Sequence, residues 1–253
     1  MSNKSLFKVV SKVVSAVSLI VLFGCSGPSS EERYSAPAMI RIAQKARKTG
    51  NPEAAISFYN RAIQLDSDSS DAYLGLAEIY IDTNLLDAAL EYIKKAENIG
   101  CPISRSAYLR AKIALLSGDT KKAEELFLKS GSVDATNALG AIYDEREEHK
   151  KAQAMYKKVI SMDPNYIDAY NNMGLSVLLC EKYREAIFYL ENACSLPEAN
   201  VTYRSNLALA YGMAGNVAKA REVYAQDFEG DELEEKVAYI EDLIASKQHR
   251  TSK

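Results

Sequence analysis

Apolar positions along most of this chain recur at three- and four-residue intervals, and short polar turns interrupt them. "AYLGLAEIYIDTNLLDAALEYIKKAENI", starting at Ala72, shows the pattern: two apolar-faced stretches of helical period flank a polar turn. The same motif recurs along the chain. The small residue of the first stretch falls at Ala43, Ala77, Ala111, Gly140, Gly174 and Ala208, and the alanine opening the apolar face of the second at Ala55, Ala89, Ala123, Ala152, Ala186 and Ala220. Both columns step by 34, 34, 29, 34 and 34 residues. Two independent columns with one period and one shared five-residue deletion define an internal repeat. The expected architecture is all-α: six helix-turn-helix units over residues 36–228 and one more helix over 229–253.

The units "AYNNMGLSVLLCEKYREAIFYLENACSL", from Ala169, and "YRSNLALAYGMAGNVAKAREVYAQDF", from Tyr203, resemble the tetratricopeptide repeat. The resemblance extends from Ala36 to Asp227 and implies a right-handed solenoid. Small residues let the paired helices approach closely. Tyr80, Tyr143 and Tyr211 from the first helices, and Tyr59, Phe127, Tyr156 and Tyr224 from the second, are expected to fill the space between them. Gly50, Gly118 and Gly215 fall where the chain turns within a unit, and Pro164 is placed to stop the second helix of unit four.

The deletion falls between Ala123 and Gly140. It is expected to leave the second helix of unit three more than a turn short, with either a local change of superhelix pitch or a harmless trimming as the result. After the last unit, Leu233, Val237, Ile240 and Leu243/Ile244 form one apolar stripe. Repeat arrays expose an apolar face at their end unless a terminal element covers it, and this helix suits that task. Partner binding by the same helix is the other reading.

The N-terminal segment follows different rules. Eleven mainly apolar residues run from Val13 to Phe23, too few for a bilayer-spanning helix of roughly 20 residues. Lys4, Lys8 and Lys12 precede them, and no acidic residue occurs before Glu31. That is the make-up of a secretory signal peptide, expected over residues 1–24. Leu22, Gly24 and Cys25 in "LFGC" resemble the lipobox of bacterial lipoproteins. The resemblance implies cleavage before Cys25, which becomes the acylated N-terminus. At ~0.8 kcal/mol per buried methylene, several acyl chains hold a protein at a membrane without a spanning helix. Ser26 follows, without the aspartate of an inner-membrane retention signal. The implied place is the periplasmic side of the bacterial outer membrane, with residues 25–35 as a flexible tether.

Charge and rare residues narrow the functions. The net charge of −3 falls to about −6 when three lysines leave with the leader, which argues against nucleic-acid binding. The two histidines, His149 in a charged turn and His249 in the tail, have no partners at metal-ligand spacing. Cys101, Cys180 and Cys194 are read as unpaired, because helix antiparallelism places the last two ~15 Å apart, beyond the ~7 Å reach of a disulfide. Catalytic and metal-site residues are expected to be absent, with no cofactor beyond the lipid on Cys25. The run "DEREEHKK" from Asp144 reads as a solvated turn. Asn137, Asn171, Asn172 and Asn206 lie on the first helices of units four to six, which line the concave face of such a solenoid. Their amides can donate to and accept from an extended peptide, or serve the repeat itself.

The stretch from Tyr170 to Ala220 is similar to the Flp pilus assembly lipoprotein family TadD, on "SLPEAN" (Ser195–Asn200), Arg204, Asn206–Leu209, Tyr211-Gly212 and Ala214-Gly215. That resemblance implies a pilotin-like protein with no enzymatic activity, whose partner is an outer-membrane secretin or another pilus assembly protein. A type IVa pilus pilotin and a general envelope scaffold are the alternatives.

Overall fold

The computed structural model describes residues 35–251. The expected signal peptide, Cys25 and all of the tether except Ser35 lie outside the described residues. Six helix pairs follow one another: α1 (Ala36–Lys48) with α2 (Pro52–Leu65), α3 (Ser70–Asp82) with α4 (Leu86–Asn98), α5 (Ile103–Leu116) with α6 (Thr120–Ser130), α7 (Val133–Glu145) with α8 (His149–Met162), α9 (Ile167–Leu179) with α10 (Tyr183–Ser195), and α11 (Val201–Met213) with α12 (Val217–Tyr224). A single long helix, α13 (Gly230–Thr251), ends the array.

One device makes every turn within a unit. The residue ending the first helix adopts a left-handed backbone at Gly50, Asn84, Gly118, Glu147, Glu181 and Gly215, with φ between 58° and 86°. The next residue then donates its N–H to a carbonyl five residues back, as Asn51 does to Ala46 at 2.9 Å and Lys182 to Val177 at 3.2 Å. These are Schellman closures, and they satisfy carbonyls that the helix end leaves open. Side-chain caps start several of the following helices: Asn51, Asp119 and Asn216 each accept from the N–H three residues on.

Within a unit the two alanine-glycine columns lie face to face. All six second-helix alanines have no exposed surface, and the first-helix column is equally buried. Tyr59, Phe127, Tyr156 and Tyr224 are buried, joined at the same repeat position by Ile93 and Leu190. At Gly140 the contact tolerates no side chain, since a Cβ would stand 2.3 Å from the Tyr156 ring. Tyr80, Tyr143 and Tyr211 differ from expectation. They are half-buried at the rim, where Tyr80 stacks on Tyr92 at 5.3 Å and the hydroxyls of Tyr143 and Tyr211 donate to Glu124 and Glu191. A phenol keeps its oxygen where a partner can reach it.

First helices of successive units lie side by side at the α1–α3, α3–α5, α7–α9 and α9–α11 steps, and no pair of successive second helices approaches as closely. The first helices therefore form the inner row. Its one irregular step is α5–α7, which lacks that close approach. The deletion lies there, and its five residues divide between two places. Helix α6 has 11 residues against 14 in α2, and its link to α7 is only Gly131-Ser132, where α2 and α3 are joined by residues 66–69. The helix is thus less than a full turn short, against the expectation of more. Ser130 seals the shortened corner by donating to the Ser104 carbonyl at 2.7 Å.

Helix α13 packs its apolar stripe on unit six. Ile240 and Val237 are buried, Leu233 and Ile244 pack beside them, and Ile240 rests on the bare backbone of Gly212, where a Cβ would meet it at 2.2 Å. The cap role is the one this packing supports.

Candidate functional site

The four asparagines form one connected row. Helices α7, α9 and α11 bring a residue of each unit opposite the residue 35 positions on, so the amides meet across units. Asn206 Nδ2 donates to Asn171 Oδ1 at 2.8 Å, Asn171 to Asn172 at 3.2 Å, and Asn172 to Asn137 at 3.3 Å. Every donation runs along the row from Asn206 toward Asn137, so the row is polarised. Asn137 Nδ2 and Asn206 Oδ1 have no hydrogen-bond partner among the described residues. Each inner amide uses one donor and one acceptor in the row and keeps a second of each, so the structural bonds do not exhaust its hydrogen-bonding capacity.

Two phenol–carboxylate pairs flank the row. Tyr166 donates to Asp134 and Tyr203 to Asp168, both at 2.6 Å, and each pair joins one unit to the next. The aspartates push these phenols above their ordinary range, with burial the larger cause; Tyr203 reaches about 12. In the first three units, ions take over the same joining task. Arg47 pairs with Glu78 at 2.5 Å and Asp82 at 2.9 Å, Lys112 with Asp82 at 3.7 Å, and Arg105 with Asp71. The change from salt bridges to phenol–carboxylate seams coincides with the short unit.

Beyond the row the same stripe becomes apolar. Leu209 and Met213 lie three and seven residues after Asn206, and Leu179 lies seven after Asn172. With Leu178 and Leu243 of the cap they line a cleft of about 470 Å³. Sequence reasoning missed it, because one wall comes from the cap helix. It also misread Asp144. That carboxylate is no solvated turn residue: its side chain is 15% exposed, and it accepts from His149 Nδ1 at 2.8 Å, Ser176 Oγ at 2.7 Å and Tyr156 Oη at 3.0 Å. Ser176 is fully buried and bonds the carboxylate, not the imidazole, so this hub pairs no base with a nucleophile. The hub ties the end of α7 to α8 and α9.

The remaining candidates are placed as follows. Cys101, Cys180 and Cys194 are free thiols, and burial raises the Cys194 thiol above its ordinary range. Among the described residues no group of three or more His, Cys, Asp or Glu side chains is placed to hold a metal ion, and no helix is long and apolar enough to cross a membrane. Arg204, singled out by sequence, makes a bidentate pair with Asp227 at 2.6 and 2.5 Å and reaches the Ala199 carbonyl. Gly212 receives the cap. These two marks therefore have structural tasks.

Models of the tetratricopeptide repeat match residues 46–100 and 133–166. The fold is a tetratricopeptide-repeat solenoid. Among solved structures this solenoid is similar to PilW, described as a widely conserved type IV pilus biogenesis factor, with 18% identity, TM-score 0.64, and coverage of 79% of this chain and 96% of that one. It is also similar to PilF of Pseudomonas aeruginosa, with 17% identity, TM-score 0.60, and coverage of 76% and 87%. At these identities the likeness shows the fold alone. In sequence the solenoid is 23% identical over 185 residues to a Drosophila melanogaster homologue of the BBSome complex member BBS4, covering 70% of this chain and 38% of that protein. It spans 14% to 38% of the length of the curated relatives it matches. Tetratricopeptide solenoids of this kind are protein-interaction scaffolds.

Proposed function

We propose that the protein is an outer-membrane lipoprotein, anchored through Cys25, that captures an extended segment of a pilus assembly partner on its inner row and so assists assembly of the Flp pilus machinery. The partner is an outer-membrane secretin. The observation that carries the binding reading is the polarised amide row Asn206–Asn171–Asn172–Asn137, with unused donors and acceptors along the inner face. The Flp setting rests on the TadD-like stretch from Tyr170 to Ala220, and the anchor on "LFGC". Tethering near the membrane raises the effective concentration of array and partner.

A second reading, a pilotin of the type IVa pilus, is favoured by the fold shared with PilW and PilF. The two readings make the same biochemical prediction with different secretins. Deleting the gene should lower heat-stable secretin multimers and remove surface pili. Normal multimers and normal piliation in the deletion strain leave only a general envelope scaffold. Secretin pull-down with Asn172→Ala plus Asn206→Ala tests the row: capture should fall while the helical circular-dichroism signal persists, and undiminished capture moves the contact surface elsewhere.

A further inference from the structure

The short third unit does more than trim the array. Where the inner row opens between α5 and α7, a small pocket of about 140 Å³ appears, lined by Glu78, Ser104, Arg105, Tyr108, Leu109, Ser132 and Asp134. Three consecutive first helices supply it, and the two-residue link Gly131-Ser132 brings the start of α7 to its edge. Tyr108 stands at the repeat position that Asn137 and Asn171 occupy in the next two units. The pocket therefore continues the amide row at its donor end.

We infer that this pocket receives a lysine side chain of the segment bound along the inner row, an inference that rests on the binding reading above. Charge balance selects the cation. Glu78 and Asp134 face the pocket from opposite helices, and Arg105 is drawn to Asp71, which is not among the lining residues. Arg47 neutralises Glu78, but among the described residues Asp134 has only the neutral Tyr166 phenol as hydrogen-bond partner and no ion pair. The Tyr108 hydroxyl has no hydrogen-bond partner among the described residues and offers its oxygen to an ammonium group. The buried Leu109 suits the aliphatic stem, and the ring of Tyr108 attracts a cation to its face. Beyond burial, Asp134 and Glu78 help to push the Tyr108 phenol up to about 12, consistent with a site of negative potential. The small volume favours a compact ammonium over the planar fork of arginine.

The test needs no natural partner, so its failure is distinguishable from failure of the binding reading. The purified full chain, labelled in its tyrosine rings, is titrated with the N-acetyl methylamides of lysine, norleucine, arginine and glutamate, and Tyr108 is assigned through Tyr108→Phe. The lysine derivative should shift the Tyr108 signal saturably, and norleucine, with the same stem and no ammonium, should not. Asp134→Asn should weaken lysine binding by about tenfold. The new amide oxygen still accepts from Tyr166, so the melting midpoint should hold; if it falls, the wild-type titrations decide alone. Equal shifts with norleucine, tighter binding of arginine or glutamate, or no saturable shift with lysine would overturn the assignment.

Discussion

At the scale of the residue, repetition exposes both the rule and its exceptions. Six left-handed turn residues serve one purpose, but only three are glycine. A residue with a Cβ in that conformation costs roughly 1–2 kcal/mol, partly offset by the entropy a glycine loses on folding. Glu147→Gly should therefore raise stability by about 0.5–1 kcal/mol, read as a higher denaturation midpoint. The alanine column makes the opposite forecast. Ala186 and Ala220 have no exposed surface, and Leu at either should overpack the interface by ~1–3 kcal/mol in thermal unfolding. Unchanged midpoints would mean that the helices part more easily than their contacts suggest. The columns were legible in the sequence because small residues at a fixed period leave a mark. The left-handed glutamates left none, since their side chains look like any surface acid.

At the scale of the element, helix α13 is held by packing on Gly212 and braced by the Arg204–Asp227 pair at the loop before it. The guanidinium holds the Asp227 carboxyl below its ordinary range. A depressed native value means that the stabilisation is present above the unfolded carboxylate's range and is lost as pH falls through the native value. The protection of α13 against hydrogen exchange, taken relative to unstructured amides at the same pH, should fall on acidification in the wild type, and Asp227→Asn should flatten that dependence. Protection that ignores pH in both would remove the pair from the cap's support. The cap was readable from its apolar stripe. Its second task, walling the cleft with Leu243, was not, because it depends on how the last helix folds back on units five and six.

At the scale of the whole molecule, the inner row is joined by salt bridges in its first half and by amide–amide and phenol–carboxylate hydrogen bonds in its second. Salt screens exposed ion pairs, each worth ~0–1 kcal/mol, and weakens hydrogen bonds that have at least one neutral partner far less. Hydrogen exchange in α1, α3 and α5 should rise with added salt, while α7, α9 and α11 hold. A uniform response along the array would contradict the division. The sequence placed all four asparagines on first helices but did not reveal that they bond to one another. That pairing joins residues 35 apart in an array of period 34, a one-residue stagger visible only once the units are stacked. Asp144 was misread for a related reason: its three partners come from α8 and α9, so the charged run around it resembles solvent-facing sequence.

The open step between α5 and α7 gives the solenoid a mechanical character as well. An array in which each unit touches only its neighbours extends under load like springs in series, and the softest spring takes most of the stretch. Four of the five joints along the inner row are stiffened by helices lying flank to flank, and the joint at Gly131-Ser132 is not. A partner pulling on one end while the other is held would open that joint first, and the pocket beside Tyr108 would widen with it. Grip on a bound segment would then depend on tension.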